Sequence, residues 1–131
     1  MVHKHLGTDP GRWAEHRVLG LLQANGWHCL AQRWRCRYGE IDLLMVKGDQ
    51  GPRRVLAVEV KARRRCGPDG WGIAALNRAK RRRLARTIAC WMSTITSFEI
   101  CSLEVVLALV PLPPNAARVR WVPIAEMPWL P

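Results

Sequence analysis

The chain has 131 residues and a mass of 14.9 kDa, the size of one ordinary domain. Its 49% hydrophobic and 24% charged content is that of a globular protein, which excludes wholesale disorder, collagen-like repeats and coiled coil. Lys and Arg number 21 against 10 Asp and Glu, a formal charge of +11 and a pI near 10.7, and such a balance points to a polyanionic partner, nucleic acid first.

In chain order, Thr8-Asp9-Pro10 reads as a helix start, with a capping side chain and a proline in the first turn. Ala14, Val18, Leu21 and Leu22 recur at helical spacing, and Asn25-Gly26 stops the helix. Residues 27–36 alternate loosely as a strand, and 40–46 form a clear one. Lys47 to Arg53 is a turn, holding Gly48, Asp49, Gly51 and Pro52. Residues 54–61 are a second strong strand, followed by a loop with Gly67, Gly70 and Gly72. A long helix is expected over 73–92, with Ile73, Leu76, Leu84, Ile88 and Trp91 on or near one face. Residues 100–110 are an apolar strand, ended by Pro111, Pro113 and Pro114, and 119–122 add a short edge strand. The order α-β-β-β-α-β defines an α/β layered domain. We expect one domain over residues 1–131, its core at about 9–125 behind a short flexible tail.

No segment approaches the roughly 18 uninterrupted apolar residues of a membrane span, and Met1 to His5 lack the apolar core of a signal peptide. A cytoplasmic protein without a membrane partner is the expectation. The five cysteines, Cys29, Cys36, Cys66, Cys90 and Cys101, include no Cys-x-x-Cys. That argues against a disulfide framework and a zinc site, and favours small buried hydrophobes in a reducing compartment.

If 40–46 and 54–61 form a hairpin centred between Gln50 and Gly51, opposed residue numbers sum to 101. Asp42 then faces Glu59, and Glu40 faces Lys61. One face carries Ile41, Leu43, Met45, Leu56, Val58 and Val60, all apolar. The other is apolar near the turn and charged at the far end, as in a sheet covered on both sides whose far edge opens into a cleft. Opposed like charges destabilise a sheet. Two carboxylates held there need a cation or a shared proton, and a hard divalent ion with oxygen ligands suits them. Acid, acid and lysine around such an ion is chemistry suited to phosphodiester hydrolysis. Against this stands the ordinary alternative that strands carry Glu and Lys as edge protection.

Ile41-Asp42, then sixteen intervening residues, then Glu59-Val60-Lys61 resembles the PD-(D/E)xK nuclease signature. The similarity is closer to the YraN-like branch, through Gly11-Arg12-Trp13-Ala14-Glu15, Gly39-Glu40-Ile41-Asp42-Leu43 and Val58-Glu59-Val60-Lys61-Ala62-Arg63. Lys80 and Trp121-Val122 also fit, so the resemblance runs from about Gly11 to Ala125. It implies a restriction-endonuclease-like fold, a mixed central sheet flanked by helices. It also implies Mg²⁺ (or Mn²⁺) on Asp42 and Glu59, with Glu15 reaching the metal from the first helix. Lys61 would be the catalytic lysine, and Glu40 a secondary acid that stands behind the ligands or pairs with Lys61. Similarity to junction resolvases implies a homodimer. One departure is Ser102-Leu103-Glu104-Val105-Val106, where relatives carry Arg-Phe-Asp-Val-Val, which withdraws that strand from the expected site.

Residues 61–86 hold ten basic residues opposed only by Asp69. Among them Arg63, Arg64, Arg65, Arg78, Lys80, Arg82, Arg83 and Arg86 are candidate nucleic-acid contacts. Arg78, Arg82 and Arg86 follow helical spacing, and like charges so placed are relieved by phosphates. Trp34 and Trp71 flank the expected cleft and either stack on unpaired bases or pack in the core. The expected activity is that of a Mg²⁺-dependent endonuclease on structured or branched DNA, with DNA ahead of RNA. The alternative is a non-catalytic nucleic-acid-binding protein on the same scaffold.

Overall fold

The computed structural model describes residues 9–48, 52–64, 76–95 and 100–124. The Gly67–Gly72 loop, the first residues of the expected second helix, Arg65 and Trp71 lie outside the described residues.

Helix α1 spans Pro10–Ala24. The Asp9 carboxylate accepts the Arg12 N–H at 2.9 Å, and Pro10 occupies the first turn, where its missing N–H costs nothing. The helix stops at Asn25 because Gly26 turns the chain at φ 90°, a conformation open to glycine. Ala14, Val18, Leu19 and Leu22 form its buried face. Leu21 remains exposed.

Strands β1 (His28–Cys36), β2 (Gly39–Lys47), β3 (Arg53–Arg63), β4 (Ile100–Pro111) and β5 (Arg120–Pro123) form one sheet in the order β1-β2-β3-β4-β5. Pairing is antiparallel except between β3 and β4, which run parallel. Helix α2 (Arg78–Met92) supplies the crossover between those two. It begins later than its apolar pattern suggested, because Asn77 caps it by accepting the Lys80 N–H at 3.0 Å. The sheet is mixed and flanked by helices, as expected.

Each helix covers one face. Ala14, Val18, Leu19 and Leu22 of α1 pack with Leu43, Met45, Leu56 and Val58. Leu84, Ile88 and Trp91 of α2 pack with Leu44, Val46, Val55 and Ala57. Burial of one such side chain is worth roughly 1.5–3 kcal/mol, so both helices are held mainly by these apolar stripes. One residue leaves the expected alternation. Ile41, fully buried, joins the α2 cluster rather than the face of Leu43 and Met45. The cysteines depart as well: Cys29, Cys36 and Cys90 are only half-buried and Cys101 is exposed. Among the described residues, no helix is long and apolar enough to cross a membrane.

Candidate functional site

The β2–β3 ladder keeps the expected sum from Lys47–Arg54 to Leu43–Val58. Beyond that pair β2 continues against β1 as far as Gly39, and β3 continues against β4 as far as Arg63. Among the described residues β2 and β3 therefore part, and the sheet forks. Asp42 and Glu59 stand at the opening of this fork. The Asp42 carboxylate accepts the Val60 N–H at 2.7 Å, taking up a donor that the parted ladder leaves over.

The same place is irregular on the other side of β2. Arg33 lies opposite Asp42, between the Gln32–Leu43 and Trp34–Ile41 pairs, and has φ 52°. A non-glycine residue in the left-handed region costs about 1–2 kcal/mol. The position is held in part by Glu15, whose carboxylate accepts from Arg33 Nε at 3.0 Å and Nη2 at 3.4 Å. The break in regularity at Arg33 and Asp42 is also where Ile41 changes face.

Asp42, Glu59 and Lys61 meet here, while Glu40 and Glu15 take partners that the sequence did not suggest. Asp42 and Glu59 are close enough to share a hydrogen bond. Burial first, and then the Glu59 charge, push the Asp42 pKa up to about 7, against the pull of the Val60 N–H. Lys61 Nζ lies 3.3 Å from Glu59 Oε2. Glu40 does not pair with Lys61; Arg35 Nε takes it at 2.6 Å across the β1–β2 ladder. The forked ladder separates Glu40 from the residue it would have faced in an unbroken hairpin. Glu15 is engaged by Arg33, and its side chain is only 15% exposed.

Glu40, Glu59 and Lys61 form one wall of a pocket of about 240 Å³. Tyr38 and Gly39 border it from the β1–β2 turn, and Leu76, Lys80, Arg83, Leu84 and Thr87 from α2 and its approach. Asp42 is not among the lining residues and reaches the pocket through Glu59. The basic helix thus faces Glu40, Glu59 and Lys61 across the cleft. Lys80 and Arg83 are the α2 cations that line it, whereas Arg78, Arg82 and Arg86 belong to other, exposed positions on α2. The stripe is therefore divided and is not one surface. Arg63 is half-buried and bonds the Ala62 carbonyl at 3.2 Å, and Arg64 is exposed. Trp34 is half-buried against the α2 cluster, in a packing role.

Sequence reasoning did not single out Arg33, Arg35, Tyr38 or Thr87. Tyr38 could have been found by its place beside Gly39-Glu40. Arg33 could not, since arginine is not a signal for positive φ. Glu104 lies toward the opposite end of the sheet, 3.1 Å from Arg54, which explains why its departure from the resemblance does not touch the fork.

Among the described residues, no group of three His, Cys, Asp or Glu side chains is arranged to hold a metal ion. The two adjacent carboxylates nevertheless fit a hard divalent cation in donor type and charge. Mg²⁺ commonly binds through one or two carboxylates and retains water in its other positions, and positive charge would relieve the repulsion that raises Asp42.

A mixed α/β sheet with a carboxylate pair and a lysine at a fork, opposed by a basic helix, defines the class structurally. The comparison with known proteins is more specific. The model of Uncharacterised protein family UPF0102 matches residues 14–108. The chain is 50% identical over 120 residues to a UPF0102 protein of Prochlorococcus marinus strain MIT 9313, covering 92% of each chain. It is 46% identical to a UPF0102 protein of Synechococcus sp. strain CC9902, over 89% of this chain and 93% of that one. A UPF0102 protein of Pseudomonas syringae pv. tomato is 31% identical over 79% of this chain and 83% of its own. The chain belongs to the UPF0102 family, which is the YraN-like family of the sequence resemblance.

Proposed function

We propose that the protein is a Mg²⁺-dependent endonuclease acting on phosphodiester bonds in nucleic acid, with structured or branched DNA as the foremost substrate. One observation carries the reading: Asp42, Glu59 and Lys61 meet at the fork, and Glu59 and Lys61 face Lys80 and Arg83 across one pocket. Asp42 and Glu59 would hold the metal, with Glu15 assisting when released from Arg33. When bound, the metal supplies Lewis-acid charge at the scissile phosphate.

The protein's own side chains supply the rest. Lys80 and Arg83 bind the phosphodiester from the α2 side. Lys61, held by Glu59, presents its ammonium to the attacking water or to charge developing on the phosphate. Glu40, anchored by Arg35, keeps the wall of the pocket in place. Six cations among the residues of α2, with no acid between them, crowd toward its N-terminal half, where the helix dipole is already positive. A bound polyanion offsets that arrangement. The same helix favours a second reading, a binding protein without catalysis.

Calorimetry with Mg²⁺ and Mn²⁺, on wild type and on Asp42→Asn/Glu59→Gln, tests the metal pair. Binding by wild type alone is expected. Branched, flapped and single-stranded substrates then test cleavage. Lys61→Ala should abolish cutting and retain binding. Binding by wild type with no cutting under either metal would favour the second reading.

A further inference from the structure

Cys36 ends β1 and pairs with Gly39 across the two-residue turn Arg37–Tyr38. The Tyr38 N–H points back at the Cys36 sulfur, 3.4 Å away. From α2, Cys90 lies near enough to Cys36 for the two thiols to interact. Both are free thiols and neither is fully buried. The turn and the helix are closely packed at this point. A Cβ at Gly39 would lie 3.1 Å from the Thr87 hydroxyl, one helical turn before Cys90. Two half-buried thiols thus stand on a strand end and a helix that pack closely beside them, and nothing in the phosphodiester chemistry uses them.

The two sulfurs are not equivalent. Burial raises the Cys36 pKa, but the Tyr38 N–H, the Cys90 thiol and the Gly39 N–H outweigh it, so the thiol falls below its ordinary value. Cys90 moves the other way, chiefly through the neighbouring Cys36 thiol and then through burial. One thiol with more thiolate character beside a second that remains protonated is the arrangement of an attacking and a resolving cysteine.

We propose that Cys36 and Cys90 form an oxidation site, which hydrogen peroxide converts to an intramolecular disulfide joining the end of β1 to α2. The Cys36 thiolate attacks one peroxide oxygen, the O–O bond breaks, and hydroxide leaves with Cys36 as sulfenic acid. The Cys90 sulfur then displaces the sulfenic oxygen as water, and the S–S bond forms. Two thiols are oxidised, one peroxide is reduced to two waters, and both thiol protons end in water. The bond, roughly 2.05 Å long, requires both side chains to turn toward each other from the adjoining strand and helix. Because Tyr38, Gly39 and Thr87 line the pocket, the bond would tie two of its walls together. The proposal is independent of the nuclease reading and needs no activity for its test.

The test uses the full chain with Cys29, Cys66 and Cys101 changed to Ser. On treatment with hydrogen peroxide, both remaining thiols should vanish together, and the monomer should lose about 2 Da, the mass of two hydrogens. Dithiothreitol should restore them. Peroxide should consume Cys36 in a Cys90→Ser background several-fold faster than Cys90 in a Cys36→Ser background. Thiols lost independently, each gaining about 32 Da as sulfinic acid, would overturn the proposal. So would a disulfide formed only between chains. If the triple variant fails to fold, peptide mapping of oxidised wild type decides: a Cys36–Cys90 linked peptide is expected, and linkage of either residue to another cysteine overturns it.

Discussion

Asp42→Asn should make the metal-free protein more stable at pH 8, although it alters a side chain at the centre of the site. The Asp42 pKa is pushed up from its ordinary 3.8 to about 7. A raised carboxyl pKa means that the folded state holds a proton which the unfolded chain releases. This contribution to stability is fully present below about pH 3.8. It declines as pH rises through that window and is lost above about 7. At 1.36 kcal/mol per pKa unit the ceiling is about 4 kcal/mol. Asp42 is only partly shielded from water and is coupled to Glu59, so we expect about 1–2 kcal/mol to appear. Asparagine keeps an oxygen for the Val60 N–H and removes the charge. The variant should therefore gain about 3–8 °C in Tm at pH 8, and the gain should shrink toward zero as pH falls to 4. Urea and thermal unfolding at pH 4, 6 and 8 without divalent metal measure this. Added Mg²⁺ should then stabilise wild type and leave Asp42→Asn unmoved. A variant less stable than wild type at pH 8, or a gain independent of pH, would refute the reasoning.

Other sites give equally direct outcomes. Lys80→Ala and Arg83→Ala should each weaken oligonucleotide binding and lower the slope of log affinity against log salt by roughly 0.7–0.9, measured by anisotropy titration. Arg78→Ala, outside the pocket, should change binding without changing cleavage per bound complex in a single-turnover assay. At Arg33, φ 52° reverses the usual order of substitutions. Arg33→Gly should be at least as stable as Arg33→Ala in urea unfolding, whereas glycine in an ordinary strand position would be the weaker by about 0.5–1 kcal/mol. Ile88→Ala opens the fully buried α2 cluster and should cost about 2–5 kcal/mol in the same assay.

The larger elements follow from local rules. Asp9-Pro10 and Asn25-Gly26 bound α1, because a capping carboxylate and a positive-φ glycine act within a turn of where they stand. The hairpin register is also local, since a turn centred near Gln50 leaves one pairing that buries Leu43, Met45, Leu56 and Val58 together. From that register the approach of Asp42 to Glu59 follows from sequence alone.

What happens past Leu43–Val58 depends on the neighbouring strands. β1 holds one side of the fork and β4 the other, and no property of the β2–β3 hairpin announces that its partners will pull it apart. The parting gives Asp42 the Val60 N–H, leaves Lys61 with Glu59, and passes Glu40 to Arg35. The selection of Lys80 and Arg83 from a row of similar cations depends likewise on how α2 lies against the sheet. Periodicity and capping act between residues a few positions apart, and sequence displays them. Side-chain pairing across a fork is decided by strands that meet only after folding, where small changes in backbone direction choose among several arginines and carboxylates of equal chemical standing.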